Sequence, residues 1–188
     1  MIDIRLHGRG GQGVMTSSYL IAEAALLEDK FVHAFPTFGP ERSGAPIAAF
    51  ARISDTKFYI KTEVYEPDIV VVQDPSLLGQ IDVTAGLREK GVILINTNDP
   101  KSVSVQNVRD NRPDAKFASV DATKIAQEEI GLSVTNTAIL GALCKITDEK
   151  VIKLDTLEGA IKNRFKGKGA LAEKNVKAIN RSYQEVII

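Results

Sequence analysis

The chain has 188 residues, 44% hydrophobic and 26% charged, with 24 Lys+Arg balanced by 24 Asp+Glu. That length allows one well-buried domain over 1–188, and the ordinary composition excludes a disordered chain. A net charge of zero removes the broad field that would attract nucleic acid or an anionic membrane, so neither partner is expected.

The start, MIDIRLHG, alternates Ile2, Ile4 and Leu6 with Asp3, Arg5 and His7, which predicts a first strand ending at Gly8. It lacks the basic and long apolar regions of a secretory signal. No run approaches the ~18 apolar residues of a membrane span, so a cytoplasmic location is expected. HGRGGQG, residues 7 to 13, then leads into VMTSSYLIAEAALLEDK, where Val14, Tyr19, Ala22 and Leu26 recur at helical spacing. FVHAFP predicts a second strand stopped by Pro36. TFGPERSGAP, residues 37 to 46, has the prolines and glycines of a long ordered loop.

IAAFARISDTKFYIKT has two alternating runs around Ser54–Asp55 and predicts a β-hairpin, hence an antiparallel component. DIVVVQD and GVILINT are short, β-branched, continuously apolar runs, as in central parallel strands covered on both faces. SLLGQIDVTAGLREK between them is helical or irregular. AKFASVD adds a strand and DATKIAQEEIG a helix with Asp121 as its N-cap. NTAILGALCKI predicts a helix against the sheet, with Ala138, Gly141 and Ala142 permitting close approach. DTLEGAIKNRF and AEKNVKAINRSYQEV follow as amphipathic helices separated by KGKG at 166 to 169. Together these elements predict an α/β fold: a three-layer α/β/α sandwich around a mixed, mostly parallel sheet with an inserted β-hairpin.

Gly8, Gly10 and Gly13 satisfy G-x-G-x-x-G between a strand and a helix, where free N–H groups and the helix dipole can hold a phosphate. A dinucleotide-binding unit also needs an acid at the end of the second strand. Here that strand ends Ala34–Phe35–Pro36, and Glu28 and Asp29 precede it. No Gly-Lys-Ser/Thr follows the loop, so Walker A chemistry is excluded. The remaining readings are a tight packing turn, a phosphate or carboxylate seat, and a dock for a partner's carbonyl groups, with Arg9 and Gln12 adding donors at the tip. In GPERSGAP, Glu41 and Arg42 are adjacent opposite charges flanked by the apolar AFPTFG and APIAAF, which favours an organised pair over a solvated turn. If the first two strands lie side by side, both loops form one surface. The only cysteine, Cys144, lies in an apolar periodic run and cannot by itself build a cluster or a zinc site. His7 and His33 read as structural, and no residue is assigned as catalytic.

HGRGGQGVMTSSYLIAEAAL and HAFPTFGPERSGAPIAAFARIS, with the later VTNTAILGAL and AEKNVKAINRSY, resemble the gamma subunit of the 2-oxoacid:ferredoxin oxidoreductases over nearly the whole chain. This is the family of pyruvate synthase and 2-oxoisovalerate oxidoreductase. The resemblance implies an accessory subunit, inactive alone, in a complex that converts a 2-oxoacid, pyruvate as first choice, and coenzyme A to acyl-CoA and carbon dioxide while reducing ferredoxin. It implies alpha, beta and ferredoxin-like delta subunits as partners, with thiamine diphosphate and 4Fe–4S clusters carried by them and none bound by this chain alone. It places Gly8, Arg9, Gly10, Gly11, Gln12, Gly13, Glu41, Arg42, Ser43 and Gly44 on loops that face coenzyme A or dock a neighbouring subunit. Two alternatives are a stand-alone nucleotide- or CoA-binding module and a purely structural scaffold.

Overall fold

A six-stranded mixed sheet carries the fold in the computed structural model, which describes residues 1–37 and 44–188. Its strands are β1 (Ile2–Arg9), β2 (Phe31–Pro36), β3 (Pro46–Ser54), β4 (Ile69–Val72), β5 (Val92–Asn96) and β6 (Lys116–Val120), in the order β2-β3-β1-β4-β5-β6. The pairs β1–β4, β4–β5 and β5–β6 are parallel, whereas β3 runs antiparallel to both β1 and β2. The helices are α1 (Val14–Leu26), α2 (Val103–Asn111), α3 (Ala122–Glu129), α4 (Ala138–Ile146), α5 (Leu154–Arg164) and α6 (Gly169–Glu185).

The alternation read from the sequence sorts the two faces. Ile4, Leu6, Ala49, Ala51, Ile53, Val71, Leu94 and Ala118 point to one side and bury α1, α3, α4, α5 and α6. On the other side Val70, Val72, Ile93 and Ile95 pack against Val105 of α2 and against Leu77, Val83 and Leu87 of an irregular segment. The three layers are therefore unequal: one thick and helical, the other a single helix with ordered loops. Burial of both faces explains why β4 and β5 are continuously apolar.

Three local expectations differ from the structure. The antiparallel pair is made by β2 and β3, which residues 37–45 connect in the sequence, not by residues around Ser54–Asp55. Both sides of β3 are already paired, so the alternating KFYIKT stretch has no free edge to join, and it crosses the sheet without becoming a strand. Arg52 Nη1 donates to Ile60 O at 3.2 Å and ties this segment down. β1 and β2 are not side by side, because β3 lies between them. α4 packs on the sheet as expected, but the close approach at Gly141 is to α6: a methyl group there would overlap the Ile179 carbonyl oxygen and Ser182 Oγ. α2 was not legible in its polar sequence, which buries only Val105. Asp121 does cap α3, its Oδ1 accepting from Lys124 N at 2.9 Å.

On the second face, β1 holds buried charge beneath the irregular segment, where Arg5 Nη2 donates to Val83 O at 3.1 Å and to Ala85 O. Asp3 Oδ1 accepts from Arg52 Nε at 2.6 Å, and Arg5 Nε donates to His7 Nε2 at 3.0 Å. Burial, followed by the neighbouring Arg5 charge, lowers the His7 pKa to about 4. The unfolded chain takes up this proton near pH 6.5, while the folded chain resists it down to about 4. Acidification through that window therefore favours unfolding. Stability is expected to fall by about 2 kcal/mol between pH 7 and pH 5 from this group, and urea midpoints of His7→Gln at the two pH values should show a smaller drop than the parent. An equal drop would remove His7 as the cause.

Candidate functional site: the glycine loop and its platform

The loop Gly10–Gly13 leaves the carboxyl end of β1 beside β4, where the strand order changes direction and where open α/β sheets place their ligands. Gly13 has φ 76° and opens α1 without any side-chain cap. Among the described residues, no acceptor meets the N–H groups of Gly13, Val14 and Met15. Two of the glycines answer to internal packing. A Cβ on Gly8 would lie 2.5 Å from Val14 Cγ2, and one on Gly13 would collide with the Asn136 side chain.

Arg9 and Gln12 turn inward and build a platform. Arg9 donates to Ser76 Oγ at 2.9 Å, to Gln80 Oε1 at 3.1 Å and to Gly44 O at 3.1 Å, and its Nε stands 3.2 Å from Asp74 Oδ2. Gln12 Oε1 accepts from Arg9 N at 2.7 Å while its Nε2 donates to Asp74 Oδ2 at 2.6 Å. Asp74 Oδ1 in turn accepts from Ser76 N at 2.9 Å, capping the short 3-10 turn Pro75–Leu77. Burial opposes the Asp74 charge, but the hydrogen bonds from Ser76 and Gln12 and the charge of Arg9 outweigh it, holding the carboxyl below its ordinary range. One carboxylate thus fixes both donors at the loop tip.

The two N-terminal loops meet, although their strands do not pair. Gly10 N donates to Ala45 O at 2.9 Å and Gly44 N to Gly10 O at 3.0 Å. Gly44 is therefore part of the same surface as Gly8–Gly13. Glu41, Arg42 and Ser43 lie outside the described residues. Beneath the loop, Ser17 Oγ accepts from Gln73 Nε2 and donates to Asn136 O at 2.8 Å, and Asn96 Nδ2 donates to Gln73 O at 2.7 Å. A polar recess of about 260 Å³ opens alongside, lined by Pro75, Asn96, Thr97, Asp121, Thr123 and Lys124 among others.

Asp74, Ser76, Gln80 and Asn136 were missed from sequence. The signal for Asp74 was available: a polar residue just after the buried run IVVV stands at a strand's carboxyl end, the position that feeds the ligand edge. Asn136 and Gln80 carry no such mark. Cys144 is buried in α4, and burial raises its thiol pKa far above the ordinary range, so it is inert packing. A lone buried thiol does not fit an iron–sulfur cluster, and Glu28 serves α5 by accepting from Lys153 N at 2.7 Å. His33 stacks on Phe35 with ring centroids 4.7 Å apart.

The model of the family described as pyruvate ferredoxin/flavodoxin oxidoreductase matches residues 3–185. The chain belongs to this family. Within it, the chain is similar to gamma subunits. The pyruvate/ketoisovalerate oxidoreductases common subunit gamma of Thermococcus litoralis is 50% identical over all of this chain and 98% of its own length. Pyruvate synthase subunit PorC of Methanocaldococcus jannaschii is 42% identical over 100% of this chain and 98% of its own. The crystal structure of pyruvate oxidoreductase subunit PORC from Thermotoga maritima superimposes with a TM-score of 0.83 at 39% identity, covering 99% of this chain and 97% of that one. The mixed sheet and six helices are thus those of the gamma subunit of the 2-oxoacid:ferredoxin oxidoreductases, and the chain takes part in an enzyme of that family. None of the described helices is long and apolar enough to cross a membrane.

Proposed function

We propose that this chain is the gamma subunit of a coenzyme A-dependent 2-oxoacid:ferredoxin oxidoreductase acting on pyruvate, inactive alone and working in the cytoplasm with alpha, beta and ferredoxin-like delta subunits. The observation that carries the reading is the end-to-end similarity to gamma subunits named for pyruvate and ketoisovalerate enzymes. Thiamine diphosphate and the 4Fe–4S clusters are assigned to the partners; for the clusters this is supported by the one cysteine of this chain being buried in its helical core. When bound there, they supply carbon–carbon bond cleavage and electron transfer to ferredoxin. This chain supplies a surface at the edge of the assembled site.

That surface comprises Gly8, Arg9, Gly10, Gly11, Gln12 and Gly13 with Glu41, Arg42, Ser43 and Gly44, and it faces coenzyme A. The N–H groups at the start of α1, which meet no acceptor among the described residues, favour an anionic group, and the guanidinium of Arg42 would add positive charge on this reading. Arg9 and Gln12 contribute by holding the loop in shape through Asp74. A second reading, docking of a neighbouring subunit, is favoured by the engagement of the Arg9 side chain within the chain itself. Arg42→Ala in the assembled enzyme separates the two. About a tenfold rise in the KM for coenzyme A with intact assembly is expected, the loss of one charge-assisted contact. Loss of assembly would favour docking, and no change in either would leave a scaffold. Micromolar binding of coenzyme A, NAD, FAD or ATP by the chain alone in a thermal-shift titration would instead support a stand-alone module.

A further inference from the structure

The two edges of the sheet are treated differently. At β6 the carboxyl-terminal tail closes the edge: Ser119 N donates to Ile187 O and Ile187 N to Ser119 O, both at 2.9 Å. At the opposite end, β2 has no strand beyond it among the described residues. Thr37 N donates to Ala48 O at 2.9 Å, and antiparallel pairing alternates from there, so Phe31, His33 and Phe35 direct their backbone groups to β3. The N–H groups of Val32 and Ala34 and the carbonyls of Val32, Ala34 and Pro36 therefore face away from the sheet.

Natural edges are usually blunted by charge, a bulge or a cover. FVHAFP has no side chain that is charged at neutral pH, and its one proline stands at the far end. Phe31 is 43% exposed, and Tyr59 and Ile60 of the crossing segment are exposed beside it. A recess of about 150 Å³ opens at this edge, lined by Phe31, His33, Tyr59, Lys57 and Lys61 among others. The charges acting on His33 are Lys61 and Arg52, both positive.

We propose that β2 is the docking edge for an extended, acidic segment of another subunit, which adds to the sheet as a seventh strand and seats an acidic side chain between Lys57 and Lys61. Backbone pairing to Val32 and Ala34 gives the affinity, and the recess selects the sign of the side chain. A second copy of this chain fits less well, since twofold pairing through β2 would bring two sets of Lys57 and Lys61 together. The inference rests on the reading of this chain as a subunit and is independent of the coenzyme A surface.

Hydrogen exchange of the chain alone and within its complex tests it. The Val32 and Ala34 amides should exchange quickly in the free chain and at least tenfold more slowly in the complex. Ala34→Pro removes an outward donor and leaves the β2–β3 ladder intact, so it should weaken assembly tenfold or more; a proton–nitrogen spectrum checks its folding. The pair Lys57→Glu and Lys61→Glu, at exposed positions, should do the same. Unchanged exchange in the complex, or parental assembly of both variants, overturns the proposal. So does a dimer of the free chain with these two amides protected. A chain that joins no complex at all overturns the subunit reading and this one with it.

Discussion

Replacing Arg52 with methionine is expected to lower the stability of the chain by about 3–5 kcal/mol. Arg52 and Asp3 face each other across β3 and β1, and their side chains are each 5% exposed. Methionine fills much of the same space but leaves the Asp3 carboxylate buried without its cation, and it releases Ile60 from the sheet. The cost therefore comes from the stranded charge more than from the lost attraction. Combining Arg52→Met with Asp3→Leu should recover most of the loss, because two apolar side chains need no compensation. Urea denaturation of the two single variants and the double variant checks this. A double variant as unstable as Arg52→Met would show that the pair does something other than satisfy itself. The crossing segment 55–66 carries Lys57 and Lys61, so the same experiment reports whether the β2 recess depends on this anchor.

Gly141→Val is expected to destabilise the chain by about 3 kcal/mol or more, overpacking at a contact where the neighbour is backbone. Any side chain at this position points at the carbonyl of Ile179 in α6 and at Ser182, whose hydroxyl donates to Ala138 O. A flexible side chain could swing aside, but a helix backbone cannot. α6 would have to move outward, uncovering Ile139, Leu143 and Ile179, which lie in the main core. Loss of soluble chain, or a fall in thermal midpoint of about 10 °C or more, is the expected readout. An unchanged midpoint would mean that α4 and α6 can separate at no cost, which the burial of both excludes. Gly13→Ala should be milder, since the group it meets is the end of the Asn136 side chain, although the positive φ adds strain.

Local pattern carried far in this chain because short-range physics was consistent. The buried runs IVVV and VILIN, the Asp121 cap and the apolar faces of α5 and α6 follow from periodicity and capping alone, which depend on neighbours a few residues away. The loop HGRGGQG was legible for the same reason: a strand, four glycines and a helix define its place whatever surrounds it. What the glycines approach was not legible. The two contacts that decide it join Gly8 to Val14 and Gly13 to Asn136, the second across 123 positions of chain.

Long-range pairing decided the rest. Whether β3 turned back on β2 or forward on the segment after Ser54 could not be read from alternation, because both flanks alternate. The choice follows once β1 occupies the other side of β3. The destination of Arg9 and Gln12 was equally hidden, since their partner Asp74 lies more than 60 residues away on the far side of the strand-order switch. By itself the sequence determined most of the elements, α2 and the stretch after Ser54 excepted, together with the position of a ligand-edge loop and its family pattern, because these rest on local geometry. Only the tertiary structure decided that the loop's two side-chain donors are held by an internal carboxylate and that β2 has no further strand beside it among the described residues, because both depend on which distant strands become neighbours.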